Sequence, residues 1–228
     1  MVKVQLVADT KAVVAGKPFT VGLLLGMVPG WHTYWKFPGD AGLPTELKWH
    51  LPAGWKVGPI QWPIPLKLNE PGDIQIYGYH DEVLLMQEIT PPTSFAEKNL
   101  TLKADANWLV CEKICIPGSA AVHLDLPVAT QSAPDNEELF ARYRRSLPQP
   151  WPDAKIASFS WARSGSDLRL TITSPALSNY PSVEFYPLPE GTIVVGHPKT
   201  ESIGRGKAIV RVPIESQEKA ISSLNGIV

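Results

Sequence analysis

The sequence predicts an all-β protein built from two antiparallel β-sandwich domains. Twenty-three prolines and seventeen glycines punctuate short runs rich in Val, Ile, Leu, Thr and Trp, the pattern of strands joined by frequent turns. One segment alone carries a clear helix signature, and a stiff proline-rich stretch follows it before the strand pattern resumes. At 228 residues and 44% hydrophobic composition, the chain has the length of one large domain or two ordinary ones and enough apolar material for real cores.

Residues 1–10 alternate apolar and polar, so Val2 to Ala8 reads as the first strand. Further strands are expected at Phe19 to Met27, Thr45 to His50, Glu82 to Ile89, Leu100 to Val110 and Ala120 to Leu126, most bounded by Pro or Gly clusters. After Pro127 the composition changes. Asp135-Asn136-Glu137-Glu138 precedes Leu139 to Arg145, with acids in the first turn and bases in the last, as a helix macrodipole favours. Pro148-Gln149-Pro150-Trp151-Pro152 then suits a domain boundary. Beyond it, Asp167 to Thr173 alternates strictly, and Ser182 to Tyr186, Thr192 to Val195 and Ala208 to Ile214 complete a second, smaller set of strands.

A net charge of −1 gives no basic field for nucleic acid and no acidic arm, which leaves proteins or small molecules as partners. The apolar run Val21 to Val28 holds eight residues, two of them glycine, too short to span a bilayer. The first ten residues lack the apolar core and cleavage site of a signal peptide, so the chain is expected to be cytosolic, or a mature or excised fragment. No phosphate-binding glycine loop, nucleophile elbow or recognisable pair of catalytic carboxylates occurs.

The chain has two cysteines, Cys111 and Cys115. In one continuous strand residues four apart lie roughly 13 Å apart, beyond the about 4.4 to 6.8 Å that a disulfide spans between Cα atoms. A bond between them therefore needs a turn or a helix. Strand patterns lead in through Val110 and out from Ala120, and Ile116-Pro117-Gly118 breaks any helix, so Glu112-Lys113-Ile114 reads as a three-residue hairpin loop. As a staple the bond closes too short a loop to give more than about 2 kcal/mol. An exposed turn is where an incoming thiolate reaches a sulfur, with Lys113 favouring and Glu112 opposing a thiolate. Redox exchange, a structural bond and half of a metal site all remain open on spacing alone. For a metal, His32, His80, His123 and Met86 are the other soft donors and would suit Cu(I), though none stands at a recognised ligand spacing from the pair. A lone histidine in a strand is more commonly a packed or surface residue.

The run Trp108 to Pro117 resembles the active-site hairpin of the N-terminal periplasmic domain of the DsbD/ScsB family of membrane thiol-disulfide reductases. Upstream, Pro38-Gly39-Asp40-Ala41-Gly42-Leu43-Pro44-Thr45, Gln61-Trp62-Pro63-Ile64-Pro65 and Ile76-Tyr77-Gly78-Tyr79 are similar to segments of that family in order and position, most closely to the ScsB branch, named for suppression of copper sensitivity. The resemblance implies two immunoglobulin-like domains: a redox domain over 1–128, a helical and proline-rich linker over 129–152, and a smaller domain over 153–228 without cysteine.

It further implies a protein-disulfide reductase domain, without cofactor or metal, at the periplasmic end of a relay. A membrane domain and a thioredoxin-like domain of the same protein pass electrons to Cys111 and Cys115, which reduce periplasmic thioredoxin-fold partners. On this reading the chain is a soluble piece of an inner-membrane protein. Cys115 is then the sulfur that bonds to partners and Cys111 the one that resolves the bond. A cap over the hairpin maps onto Leu68 to Gly78, with Glu70 and Asp73 in it and Ile76 or Tyr77 as the shielding residue. His32, Tyr34 and Trp35 fall beside the family's active site. A copper-binding or copper-delivery module using the same cysteines is the alternative implied by the ScsB branch.

Overall fold

The computed structural model describes residues 2–150, 157–216 and 221–228. It is built from antiparallel strands with one α-helix, an all-β, immunoglobulin-like architecture, and divides into compact units at residues 1–148 and 149–228. The expected boundary at 152/153 and the Trp151-Pro152 end of the connector lie outside the described residues.

The first unit holds β1 (Val2–Ala8), β2 (Phe19–Met27), β3 (His32–Gly39), β4 (Glu46–Trp49), β5 (Lys56–Val57), β6 (Leu66–Glu70), β7 (Ile74–His80), β8 (Glu82–Thr90), β9 (Asn99–Cys111), β10 (Cys115–Pro127) and α1 (Glu137–Arg145). One sheet runs β1-β2-β8-β5; the other runs β10-β9-β3-β7-β6, with β4 also paired to β9. In β2 the period of two is clean: Phe19, Val21, Leu23, Leu25 and Met27 are buried, and the first four pair onto β8, where Val83 to Gln87 are buried in succession. The one polar side chain in that run, Gln87, is satisfied by Trp49 Nε1, which donates to it at 2.9 Å, and by the Gly58 carbonyl at 2.8 Å. On β9 the buried Leu100, Leu102, Ala104 and Ala106 alternate with outward Thr101, Lys103 and Asn107.

Two departures from the sequence pattern concern the site. The segment 68–78, read as a cap, lies within the β6–β7 hairpin, and β3 beside it was not expected as a strand; both β3 and β7 are buried on two faces and lack alternation. Helix α1 packs on the first unit. Phe140 is fully buried in the first unit, Tyr143 Oη donates to the Glu82 carbonyl at 3.0 Å, Arg142 pairs with Glu82 and Arg144 with Asp9. Asn136, in the left-handed region at φ 49°, ties the helix start to β1 through the Ala8 carbonyl at 2.9 Å.

The second unit holds β11 (Ser158–Ser164), β12 (Asp167–Thr173), β13 (Tyr186–Leu188), β14 (Lys199–Gly204), β15 (Lys207–Pro213) and β16 (Asn225–Ile227). Its larger sheet runs β11-β12-β15-β14, and β13 pairs with β16. Leu168, Leu170 and Ile172 from β12 pack with Ala208, Val210 and Val212 from β15 and with Phe185, whose ring Trp161 meets edge-on at 5.6 Å. The expected strand at Thr192 to Val195 is reduced to one bridge, Val195 to Ile214, and β11 and β14, which expose most of their residues, were not expected.

Candidate functional site

Strands β9 and β10 run in unbroken register from Asn99 opposite Pro127 to Cys111 opposite Cys115, so the hairpin keeps its ladder up to the two cysteines. Pro117 is accommodated because β10 is an edge strand, where a missing N–H costs no ladder bond. Gly118 lies under the Trp108 indole; a Cβ there would come within 2.4 Å of Cε2. Glu112, Lys113 and Ile114 form the exposed loop, and Ile114 is 67% exposed.

The cysteines are direct cross-strand partners with Cα atoms 4.2 Å apart, and their sulfurs are bonded. Their environments differ sharply. Cys111 is 3% exposed, whereas Cys115 is exposed. The difference follows from the neighbours: Cys111 pairs with His32 at the start of β3, which covers that side of the hairpin, while β10 has no strand on its outer edge.

From β3, His32 and Tyr34 project to the same side as Cys111, since residues two apart share a face. Tyr34 Oη donates to Cys111 Sγ at 2.8 Å and lies 3.5 Å from Cys115 Sγ; His32 Nε2 is 3.3 Å from the same hydroxyl. Trp35 points the other way and meets Tyr77 edge-on at 6.3 Å. Tyr34, Ile76 and Cys111 form one small buried cluster, with Leu68 and Leu109 packed against it. Ile76, at 1% exposure, is therefore the residue of the β6–β7 hairpin that closes over the buried sulfur. Tyr77 meets Trp35 and Phe37, and Asp73 sits at the hairpin tip at φ 60°.

The Pro38 to Thr45 motif acquires a physical role here. The Asp40 carboxylate accepts from the Gln75 N–H at 2.7 Å, and the Asp40 N–H donates to the Gln75 carbonyl at 3.0 Å, fastening this loop to β7. Gly42, at φ 110°, lies against the Tyr34 ring, and a Cβ there would come within 2.2 Å of Cε1. The loop thus holds both the cap and the phenol. Asp40, Gly42, Leu68 and Leu109 were not picked out individually from the sequence, because no charge or spacing pattern marks a residue that supports another.

Burial lowers the pKa of His32, opposed in part by the negative charge of Glu70 on β6. Burial raises that of Tyr34, and Glu70 raises it further. Around neutral pH the site next to Cys111 thus holds a neutral phenol and a neutral imidazole. Met86 is fully buried in β8, His123 is exposed on β10, and His80 is paired with Asp81 at 2.5 Å, so His32 is the member of the soft-donor set that adjoins the cysteines. Among the described residues, no three His, Cys, Asp or Glu side chains are grouped to hold a metal ion. A groove of about 480 Å³ runs beside the hairpin, lined by Leu43, Pro44, Trp108, Leu109, Pro117 and Gly118.

A family described as the N-terminal domain of the thiol:disulfide interchange protein DsbD matches residues 3–127, more than half of the chain and the whole of the hairpin and its cover. The chain belongs to that family. As a DsbD N-terminal domain it is a thiol-disulfide exchange domain carrying a cysteine pair. The fold is also similar to that of the N-terminal periplasmic domain of ScsB from Proteus mirabilis, with a TM-score of 0.73 at 22% identity, over 95% of this chain and 81% of that one. No curated protein matches. No helix among the described residues is long and apolar enough to cross a membrane.

Proposed function

We propose that this chain is the periplasmic exchange domain of a larger membrane reductase, in which Cys115 makes contact with partners and Cys111 resolves. The observation that carries the reading is the asymmetry of the pair: an exposed Cys115 bonded to a Cys111 that is 3% exposed and covered by Tyr34 and Ile76. Only the exposed sulfur can take the in-line approach of an incoming thiolate.

To load the domain, a thiolate of the thioredoxin-like domain attacks Cys115 Sγ. The Cys111–Cys115 bond breaks and its electron pair passes to Cys111 Sγ, toward which the Tyr34 hydroxyl already donates. The donor's second thiol then displaces Cys115, leaving the dithiol here and a disulfide on the donor. To unload it, the Cys115 thiolate attacks a disulfide of a periplasmic thioredoxin-fold protein. Cys111 then attacks Cys115 Sγ, reforming the bond and releasing the partner reduced. Exposed Ile114 and the apolar groove around Leu43 and Trp108 give such a partner surface to rest on. The second unit contains no cysteine, so the exchanging sulfurs are those of the first.

The test is to mix the oxidised domain with a reduced thioredoxin-fold donor and follow its free thiols. Stoichiometric transfer to the cysteine pair, faster than with a small dithiol at equal concentration, is expected. No transfer from any such donor, with small dithiols still effective, would remove the proposal.

A further inference from the structure

The reverse step sets a requirement that the cysteines alone do not meet. For Cys111 to resolve a bond on Cys115 it must be a thiolate, yet it lies among Tyr34, Ile76, Leu68 and Leu109, where burial favours the neutral thiol. Neither Lys113 nor any other cation of the hairpin loop reaches into this cluster, since Glu112, Lys113 and Ile114 are exposed. What does touch Cys111 Sγ is the Tyr34 hydroxyl at 2.8 Å, and what touches that hydroxyl is His32 Nε2 at 3.3 Å.

Resting on the exchange reading above, we infer that His32 and Tyr34 form a proton relay for Cys111, with Tyr34 as the bridge and His32 as the proton's destination. The Cys111 S–H donates to Tyr34 Oη as the Tyr34 O–H donates to His32 Nε2. One proton moves across each link, leaving a Cys111 thiolate, an unchanged phenol and an imidazolium. The thiolate attacks Cys115 Sγ, the bond to the partner breaks, and the partner's sulfur leaves with the electron pair. The imidazolium then loses its proton to that thiolate or to water, and no outside oxidant or reductant is needed beyond the partner disulfide already bound.

The surroundings suit this assignment. Four charged or titratable groups face His32 from the elements packed on it: Tyr34 on its own strand, Cys111 on β9, Glu70 on β6, and His80 on β7, its register partner, whose ring is engaged by Asp81. Glu112 packs near Gly30 at the turn that precedes His32. Glu70 favours the imidazolium once it forms, and burial keeps the resting imidazole neutral and able to accept. Burial likewise keeps Tyr34 protonated, so it passes a proton without holding a charge. His32 acts through Tyr34 and is in that sense a positioning residue; its signature is a pH profile.

The experiment uses an aromatic disulfide, 5,5′-dithiobis(2-nitrobenzoate), with the reduced protein in a stopped-flow spectrometer. Attack by Cys115 releases the first thionitrobenzoate and leaves the second on Cys115, from which Cys111 displaces it. The rate of that second release is measured against pH for the natural protein, His32→Gln, Tyr34→Phe and the double variant. In the natural protein the rate is expected to hold level through neutral pH and to fall only as His32 becomes protonated. Each single variant should slow it about tenfold or more at pH 7, where a thiol of ordinary pKa near 8.5 is only about 3% ionised, and should make it climb about tenfold per pH unit.

The double variant should be no slower than either single one, because both cut the same path. Circular dichroism and the urea midpoint show that each variant is folded, and the second release is compared after first release is complete; if His32→Gln is not folded, Tyr34→Phe decides. Second-release profiles superimposable on the natural one in the folded variants overturn the relay. Failure of the natural protein to give any second release would instead overturn the exchange reading itself.

Discussion

Replacing Ile76 by alanine separates the cap's two contributions, to stability and to shielding. Ile76 is 1% exposed and packs on Tyr34 and Cys111, so the change removes three carbons from a site with no access to water. At about 0.8 kcal/mol per buried carbon the transfer loss is roughly 2.4 kcal/mol, and an incompletely collapsed cavity brings the total to about 3 to 4 kcal/mol. Urea unfolding of the oxidised protein, followed by tryptophan fluorescence, should show the midpoint falling by that equivalent with an unchanged slope. Shielding is read separately by alkylation. With Cys115→Ser in the background, reduced Cys111 should react slowly with iodoacetamide, and adding Ile76→Ala should accelerate it at least several-fold. A stability loss under about 1 kcal/mol together with unchanged alkylation would show that Ile76 does not cover this sulfur.

Three other outcomes follow from the same geometry. Because burial lowers the pKa of His32, the unfolded chain takes up a proton before the folded one; stability should decline as pH drops below about 6.5 and level off under the lowered value. Thermal unfolding over that range should show a shallower slope in His32→Gln. Gly42→Ala, which forces a side chain into the left-handed region and against the Tyr34 ring, should cost about 2 kcal/mol or more and loosen the phenol's contact with Cys111, seen as a changed tyrosine ring signal by NMR. Phe140→Ala should cost roughly 3 to 5 kcal/mol in the unfolding of the first unit, whereas a helix in a free linker would cost it almost nothing.

How far the sequence reveals this arrangement depends on which physical signals each element carries. The cysteine hairpin was legible because alternation on β9 and the outward β10 flank a three-residue gap, so register alone brings Cys111 opposite Cys115. Strands β3 and β7 were not legible as strands. His32 to Trp35 and Ile76 to Tyr79 are buried in succession, and a strand covered on both faces shows no period of two. The cap over 68–78 was placed by the resemblance and not by a strand pattern, and its flanks pair residue by residue from Leu66 opposite Gly78 to Glu70 opposite Ile74.

Orientation was likewise out of reach. Choosing Ile76 over Tyr77 as the cover requires knowing which face of β7 meets the cysteines, and the pairing of β7 with β3 settles it. Helix α1 was legible from its charges, but its attachment was not, since an apolar stripe names no partner; Phe140 and Tyr143 find theirs in the first unit. In the second unit β14 presents mostly exposed residues, so hydrophobic patterning passes over it.

Two bonded sulfurs divide the labour of exchange, and trapping measures that division directly. Cys111→Ser and Cys115→Ser proteins, each incubated with an oxidised thioredoxin-fold partner and quenched with acid, are digested without reduction and the cross-linked peptides mapped by mass. A stable mixed disulfide is expected on Cys115 in the Cys111→Ser protein and little or none on Cys111 in the Cys115→Ser protein. A trapped partner on Cys111, or equal trapping on both, would contradict it.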